Sequence, residues 1–205
     1  MAGTTTPRRQ RSPTGEQANF YINDCGDLRS SSRFGPRLRK TNVQTRQVNM
    51  QRWSITSPKP FDVVVASVEE AIGRPNMIEF IANMTAATSY EEMQKVIHDS
   101  VSEIGLMEFM RLDHGAVLAK AGVDGNLKSV RLIMGNPLIM QSMTRLVPDA
   151  GSYAPVTVLI DQRPDGVHLS YDEMASFLAP YGNAEALKIA RDLDAKVKRL
   201  LQEAS

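Results

Sequence analysis

Residues 153–171 read YAPVTVLIDQRPDGVHLSY, and this stretch decides the fold class. Its first part, residues 153–161, is rich in β-branched side chains, which favour strands. A turn signal, Pro164-Asp165-Gly166, follows, and residues 167–171 carry a second strand pattern. Two strand patterns joined by so short a turn predict an antiparallel β-hairpin.

The chain upstream of the hairpin alternates between short strands and short helices. Residues 89–104 should form a helix, because Ser89 and Glu92 match a capping box and apolar residues follow at helical spacing. Residues 61–74 fit either a short strand or a helix. The other expected elements are strands at 77–84, 106–112 and 128–134, short helices at 114–121 and 138–145, and an amphipathic tail helix at 184–203. We therefore expect an α+β fold, an antiparallel sheet with flanking helices.

The charge of the chain is divided unevenly along its length. Residues 1–60 carry eleven Lys and Arg against three Asp and Glu, whereas residues 61–205 carry thirteen against twenty. The first segment has no sustained apolar period, so it cannot bury enough surface to offset its chain entropy. We expect a basic extended arm over 1–60, disordered unless docked, and an acidic α+β globular domain over 61–205 that ends in the amphipathic helix.

The basic arm carries isolated aromatic side chains among its cationic ones. Spaced anchors on a flexible basic segment suit docking onto a protein surface. The predicted partner-binding residues are Phe20, Tyr21, Arg33, Phe34, Arg37, Arg39, Lys40 and Trp53. Two alternatives stay open, a solvated tail without a partner and a segment that binds nucleic acid or anionic lipid. The acidic domain would repel a polyanion, which makes nucleic acid the less favoured partner.

The cysteine content and the hydropathy pattern indicate a soluble cytoplasmic protein. Cys25 is the single cysteine, so no intramolecular disulfide can form. No apolar run approaches the length of about 18 residues that a membrane span needs, and the basic start has no apolar signal-peptide core behind it. Neither a glycine-rich dinucleotide fingerprint nor a Walker sequence is present, which argues against nucleotide chemistry.

Two segments could carry chemistry at the ends of strands. Asp113 and His114 follow a predicted strand at the point where a helix begins, and such junctions often open into pockets. Asp113 could equally be a helix N-cap. Gly135, Asn136 and Pro137 form a second strand-to-helix junction, which could hold an anion or a carbonyl group, or could be only a tight turn.

The order of several short motifs resembles that of a known family. The motifs are LDHG at 112–115, AKAG at 119–122, MGNP at 134–137, the strand at 155–159, Asp165-Gly166, Ser170-Tyr171 and Tyr181-Gly182. Together they resemble the domain of unknown function 302 family over about residues 77–181, with the arm and the tail helix as extensions. The resemblance implies a compact α+β domain with an antiparallel sheet, commonly paired into dimers. It implies no reaction, because none is assigned to the family.

The resemblance directs attention to one set of candidate ligand-binding residues. They are Asp113, His114, Gly135, Asn136, Pro137, Ser170 and Tyr171. On one hypothesis they surround a pocket in which His114 ligates a haem, which needs only one or two protein ligands. The pocket would then have soft walls made by Met107, Met110, Met134, Met140 and Met143. The alternative is that these methionines only fill the core.

The leading functional prediction is a non-enzymatic binding or assembly protein whose basic arm straps a partner subunit or a larger complex. It would associate through the arm and through the sheet or the tail helix, as a homo-oligomer or with another protein. The second prediction is a haem-binding or small-ligand-binding domain with a redox role centred on His114. The third is an enzyme that uses Asp113 and His114 as acid and base.

Overall fold

The computed structural model describes residue 43, residues 45–122 and residues 127–205. Residues 45–205 form one compact unit, and the chain before them is a separate unit. The predicted anchors from Phe20 to Lys40 therefore lie outside the described residues. Within the described residues, no helix combines the length and the apolarity needed to cross a bilayer.

A five-stranded antiparallel sheet forms the centre of the compact unit, as the sequence predicted. The strands are β1 (Arg52–Ser57), β2 (Met107–Asp113), β3 (Ser129–Gly135), β4 (Val156–Arg163) and β5 (Gly166–Asp172). Their order across the sheet is β1-β5-β4-β3-β2. The predicted hairpin is the β4–β5 pair, in which Arg163 is paired with Gly166 beside the turn.

Within the described part of the chain, seven helices and two 3-10 turns connect and cover the strands. The helices are α1 (Phe61–Ala71), α2 (Met77–Ala86), α3 (Tyr90–His98), α4 (His114–Lys120), α5 (Pro137–Thr144), α6 (Met174–Leu178) and α7 (Ala184–Ala204). The 3-10 turns are Pro148–Ser152 and Ala179–Tyr181. The α+β fold class is thus confirmed.

The main core lies between one face of the sheet and helices α1, α5 and α7. Alternate residues of the three central strands point into it, as the pleat requires. These are Val130, Leu132 and Met134 on β3, Val156, Val158 and Ile160 on β4, and Val167, Leu169 and Tyr171 on β5. The tail helix adds a stripe at helical spacing that includes Ala190, Val197 and Leu201. Its apolar face is therefore used inside the compact unit.

The opposite side of the sheet, which we call the polar face, carries the alternate set of side chains. The register aligns them in three rows across the sheet. The first row is Arg52, Asp172, Thr157, Ile133 and Met110, the second is Ser54, Ser170, Leu159, Arg131 and Leu112, and the third is Thr56, His168, Asp161 and Ser129. Apart from the buried Ser170, these side chains are half-buried or exposed, which is typical of an antiparallel sheet with one face toward solvent.

Residues 77–84, which we predicted to be a buried strand, instead form most of α2. The Asn76 side chain caps this helix by accepting hydrogen bonds from the backbone N–H groups of Ile78 and Glu79, at 3.0 and 3.3 Å. Phe80 is the one buried residue of the helix, and Ile78 is 81% exposed. A short apolar run is compatible with either a strand or a helix. Here the N-cap supplied by Asn76 favours the helix.

The sheet begins inside the segment that we assigned to the arm. Strand β1 pairs with β5 so that Trp53 lies opposite Tyr171 and Ile55 opposite Leu169. Trp53 is half-buried and packs against the core; in this compact unit it is a structural residue. The alternation in RWSITS, with Trp53 and Ile55 inward and Arg52 and Ser54 outward, is the signal of an edge strand.

Candidate functional site

The structure divides the predicted ligand-binding residues among four places, one of which is the N-cap of α4, where Asp113 lies. His114 and Ser170 line one hollow on the polar face. Gly135, Asn136 and Pro137 line a separate cavity beside α5. Tyr171 lies in the core, where it is 1% exposed. The single pocket that would have joined all these residues is not formed.

The hollow on the polar face has a volume of about 330 Å³. Its floor comes from the first two rows of the face, with Arg52 and Asp172 on one side and Arg131 on the other. Thr157, Leu159 and Ser170 lie between them, and His114 completes the lining from the start of α4. The lining therefore combines charged groups, hydroxyl groups and one imidazole ring.

One of the two guanidinium groups of this hollow is already paired. Arg52 donates from Nε to Asp172 Oδ1 at 2.6 Å and from Nη2 to Asp172 Oδ2 at 2.9 Å. This bidentate contact raises the pKa of Arg52 above its ordinary value, mainly through the hydrogen bond. Beside the pair, the hydroxyl groups of Ser54 and Ser170 lie 3.2 Å apart.

His114 is positioned by its two neighbours in the sequence. Asp113 Oδ1 accepts a hydrogen bond of 2.8 Å from the backbone N–H of Ala116, so Asp113 is the N-cap of α4. Gly115 allows α4 to approach the start of β3, because a Cβ atom there would lie 2.5 Å from the carbonyl oxygen of Leu127. Asp113 does not line the hollow that contains His114, which gives an acid–base pair no geometric support.

The second cavity, beside α5, has a volume of about 220 Å³ and mainly apolar walls. Phe109, Met140 and Met143 contribute to these walls. Asn136 is occupied as the N-cap of α5, since its Oδ1 accepts from the N–H of Leu138 at 2.8 Å and its Nδ2 donates to Gly105 O at 2.9 Å. The walls do not suit the anion that we considered for this junction.

Tyr171 belongs to a buried hydrogen-bond network centred on Asp194 of α7. Its hydroxyl group donates to Asp194 Oδ1 at 2.6 Å, and the backbone N–H groups of Met174 and Ala175 donate at 2.8 and 3.0 Å. Burial raises the pKa of Asp194, although these three hydrogen bonds oppose the shift. Burial, followed by the nearby Asp194 carboxylate, also raises the pKa of Tyr171. The network joins β5 and α6 to α7, which is a structural role.

A family model shows where this domain belongs. The model for the family described as domain of unknown function DUF302 matches residues 82–204. The chain belongs to the DUF302 family. The motifs in the sequence indicated a resemblance only up to about residue 181. The family model extends to residue 204 and so includes the tail helix α7, which we had treated as an extension. The search of curated proteins found no match.

A solved structure shares the fold of this DUF302 domain. It is the crystal structure of an uncharacterized conserved DUF302 protein from Bacillus stearothermophilus. The likeness has a TM-score of 0.54 at 12% sequence identity and covers 75% of this chain and 98% of the other. At that identity the likeness shows the fold alone.

The methionines that we considered as walls around His114 lie elsewhere in the DUF302 domain. Met107, Met134 and Met143 are fully buried, whereas Met110 is 52% exposed. Met140 lines the apolar cavity beside α5. Among the described residues, none of these five methionines lines the hollow beside His114. The three buried methionines therefore fill the core, as the alternative interpretation stated.

Sequence reasoning missed several of the residues that line the hollow. It also missed Asp194, the buried acid of the hydrogen-bond network. Arg52, Arg131, Thr157 and Asp172 come together only through the strand order, which has no local signal. Asp194 did have one, since Ala190, Asp194, Val197 and Leu201 share a helical face. An acid on an otherwise apolar stripe indicates a buried carboxyl group that needs partners.

Proposed function

We propose that this DUF302 protein is a non-enzymatic assembly protein, in which the basic arm of one copy straps an acidic surface of a second copy. The observation that carries the proposal is the uneven distribution of acidic residues along the domain. Residues 61–108 contain nine Asp and Glu against two Lys and Arg, whereas residues 109–205 contain eleven of each. The whole excess of negative charge therefore belongs to the segment of α1, α2 and α3. Opposite charges of this kind select partners and accelerate their encounter.

The receiving surface in this proposal is the exposed side of α2 and α3, which we call the α2–α3 surface. Glu79, Glu91 and Glu92 are exposed there. Ile78 and Ile81, three residues apart, share one side of α2 and are 81% and 59% exposed. The exposed isoleucines lie on the same helix as the exposed Glu79, so α2 offers contacts to apolar anchors and to cations at once.

The arm has the matching composition. Residues 1–44 carry eight Lys and Arg against three Asp and Glu. Within them, residues 29–40 read RSSSRFGPRLRK and place five cations around Phe34 and Leu38. A segment of this kind orders when it binds, so its apolar anchors and its charges act together. The tail helix is the weaker candidate for association, because its apolar face already packs in the core.

The test is the mass in solution of the full chain and of residues 45–205, measured by light scattering at low and at high salt. We expect a larger assembly for the full chain, and we expect removal of residues 1–44 or high salt to reduce it, since salt screens exposed charges. Ile78→Lys combined with Ile81→Lys should reduce it as well, because it removes the apolar contacts and repels the cations of the arm. Val117→Lys is the control, because Val117 is 66% exposed but lies on α4.

Two results would contradict the strap. One is an unchanged mass after removal of residues 1–44. The other is an equal effect of the α2 double variant and the Val117→Lys control. Titration with duplex DNA at low salt tests the alternative that the arm binds nucleic acid. DNA binding that requires residues 1–44, while their removal leaves the mass in solution unchanged, would favour a nucleic-acid partner.

A further inference from the structure

We propose that the hollow on the polar face binds a small organic acid, whose carboxylate pairs with the guanidinium group of Arg131. The assembly function needs no such ligand, and the hollow shares no residue with the α2–α3 surface. The site is built by three central strands, one edge strand and the first residue of α4. Sites on sheet strands hold their side chains more rigidly than sites on loops.

Arg131 stands apart from the other arginines of the sheet. Arg52 pairs with Asp172, Arg111 with Glu69 and Arg163 with Asp161, each with a closest nitrogen–oxygen distance of 2.9 Å or less. Within residues 45–122 and 127–205, Arg131 has no carboxylate at ion-pair distance. Its side chain is exposed and lines the hollow. A guanidinium fork matches a carboxylate in two parallel hydrogen bonds.

Further polar groups face the same hollow. Among the described residues, the Thr157 hydroxyl group and the His114 ring have no hydrogen-bond partner. Ser170 contributes a hydroxyl group that is in contact with Ser54. These groups can bind hydroxyl or carbonyl oxygens of a ligand whose carboxylate lies on Arg131. A few placed polar groups of this kind fix the orientation of a small ligand.

The charge and the size of the hollow narrow the class of ligand. Arg52 and Arg131 contribute two positive charges and Asp172 one negative charge, so the fixed groups sum to one positive charge. A monoanion such as a hydroxy acid matches that sum, whereas a dianion such as phosphate would leave one negative charge uncompensated and would meet twice the repulsion from Asp172. The volume of about 330 Å³ lies at the lower end of ligand pockets, roughly 300–1,000 Å³. This volume suits a small molecule.

The test is a titration of the isotope-labelled full chain with lactate, followed by NMR at constant ionic strength. Lactamide is the neutral probe of the same shape, and inorganic phosphate is the second anion. We expect saturable shifts of the Thr157 and Ser170 amide signals with lactate and none with lactamide. Arg131→Met should weaken lactate binding about tenfold or more, as expected for the loss of a charge-assisted pair. Arg131→Lys should bind with intermediate strength because it keeps the charge and loses the fork.

Arg163→Met is the matched control, because Arg163 is also a strand arginine but is paired with Asp161. It should leave lactate binding unchanged, and thermal unfolding of each variant shows that the fold is kept. The proposal is overturned if lactate gives no saturable shift up to roughly 50 mM, if lactamide binds equally, or if phosphate binds more tightly than lactate. It is also overturned if Arg131→Met reduces the mass in light scattering while lactate does not bind, since Arg131 then pairs with an acidic residue of a second copy.

Discussion

The carboxyl group of Asp194 shows how a single residue can connect three elements. Asp194 is 3% exposed, and a buried carboxylate is costly unless hydrogen bonds compensate for the water it has lost. Tyr171 and the first two backbone N–H groups of α6 supply those bonds. The short helix α6 is therefore held at its N-terminus by a side chain from α7, and Tyr171 is required for this structural network.

Tyr171→Phe removes one of the three hydrogen bonds to Asp194 without changing the shape of the ring. We expect the free energy of unfolding to fall by about 1–3 kcal/mol, because the buried carboxyl group is left with a missing partner. Denaturation in urea measures the change. Tyr90→Phe is the control, since the Tyr90 hydroxyl group donates to Gln141 at 3.1 Å on an exposed surface, and its effect should be close to zero. An equal loss in both variants contradicts the role of the network.

The secondary-structure elements divide into those with a local signal and those without one. Helix α3 was predicted because Ser89 accepts from the N–H of Glu92 as the capping box requires, although the helix ends at His98 and not at 104. The β4–β5 hairpin was predicted from its turn. Strand β1 was missed although RWSITS alternates, because six residues are a weak signal after a long polar segment and the strand is completed by pairing with β5. Tertiary pairing of this kind overrides local composition.

Helix α4 offers a test of how closely two elements must approach. Gly115→Ala would place a Cβ atom 2.5 Å from the Leu127 carbonyl oxygen, so α4 or the start of β3 must move. We expect a loss of about 1–3 kcal/mol in the free energy of unfolding, as in other overpacked sites, together with a shift of the His114 ring signals in NMR. Gly151→Ala is the control, since its Cβ atom would lie 3.4 Å from a Thr144 methyl group. A stable Gly115→Ala protein with unmoved His114 signals would show that the close approach is not needed.

At the scale of the whole molecule, the fold class was predictable and the site was not. The hairpin and the alternation of elements were enough to predict an antiparallel α+β domain. The hollow on the polar face, in contrast, depends on the order β1-β5-β4-β3-β2, which brings Arg52, Ser170 and Arg131 together from distant parts of the chain. Local patterns do not contain strand order, so His114 and Ser170 were found and their charged neighbours were missed.

The place of β1 has a practical consequence for shortening this protein. A chain that begins at residue 61, the boundary that charge alone suggests, would lack β1 and leave the backbone N–H and C=O groups of β5 unpaired along an apolar strand. Such an edge is a template for amyloid-like stacking with other chains. We expect a chain of residues 61–205 to precipitate where residues 45–205 stay clear, as turbidity and thioflavin fluorescence would show. A clear, unstained solution of the shorter chain would mean that the edge of β5 is protected in another way.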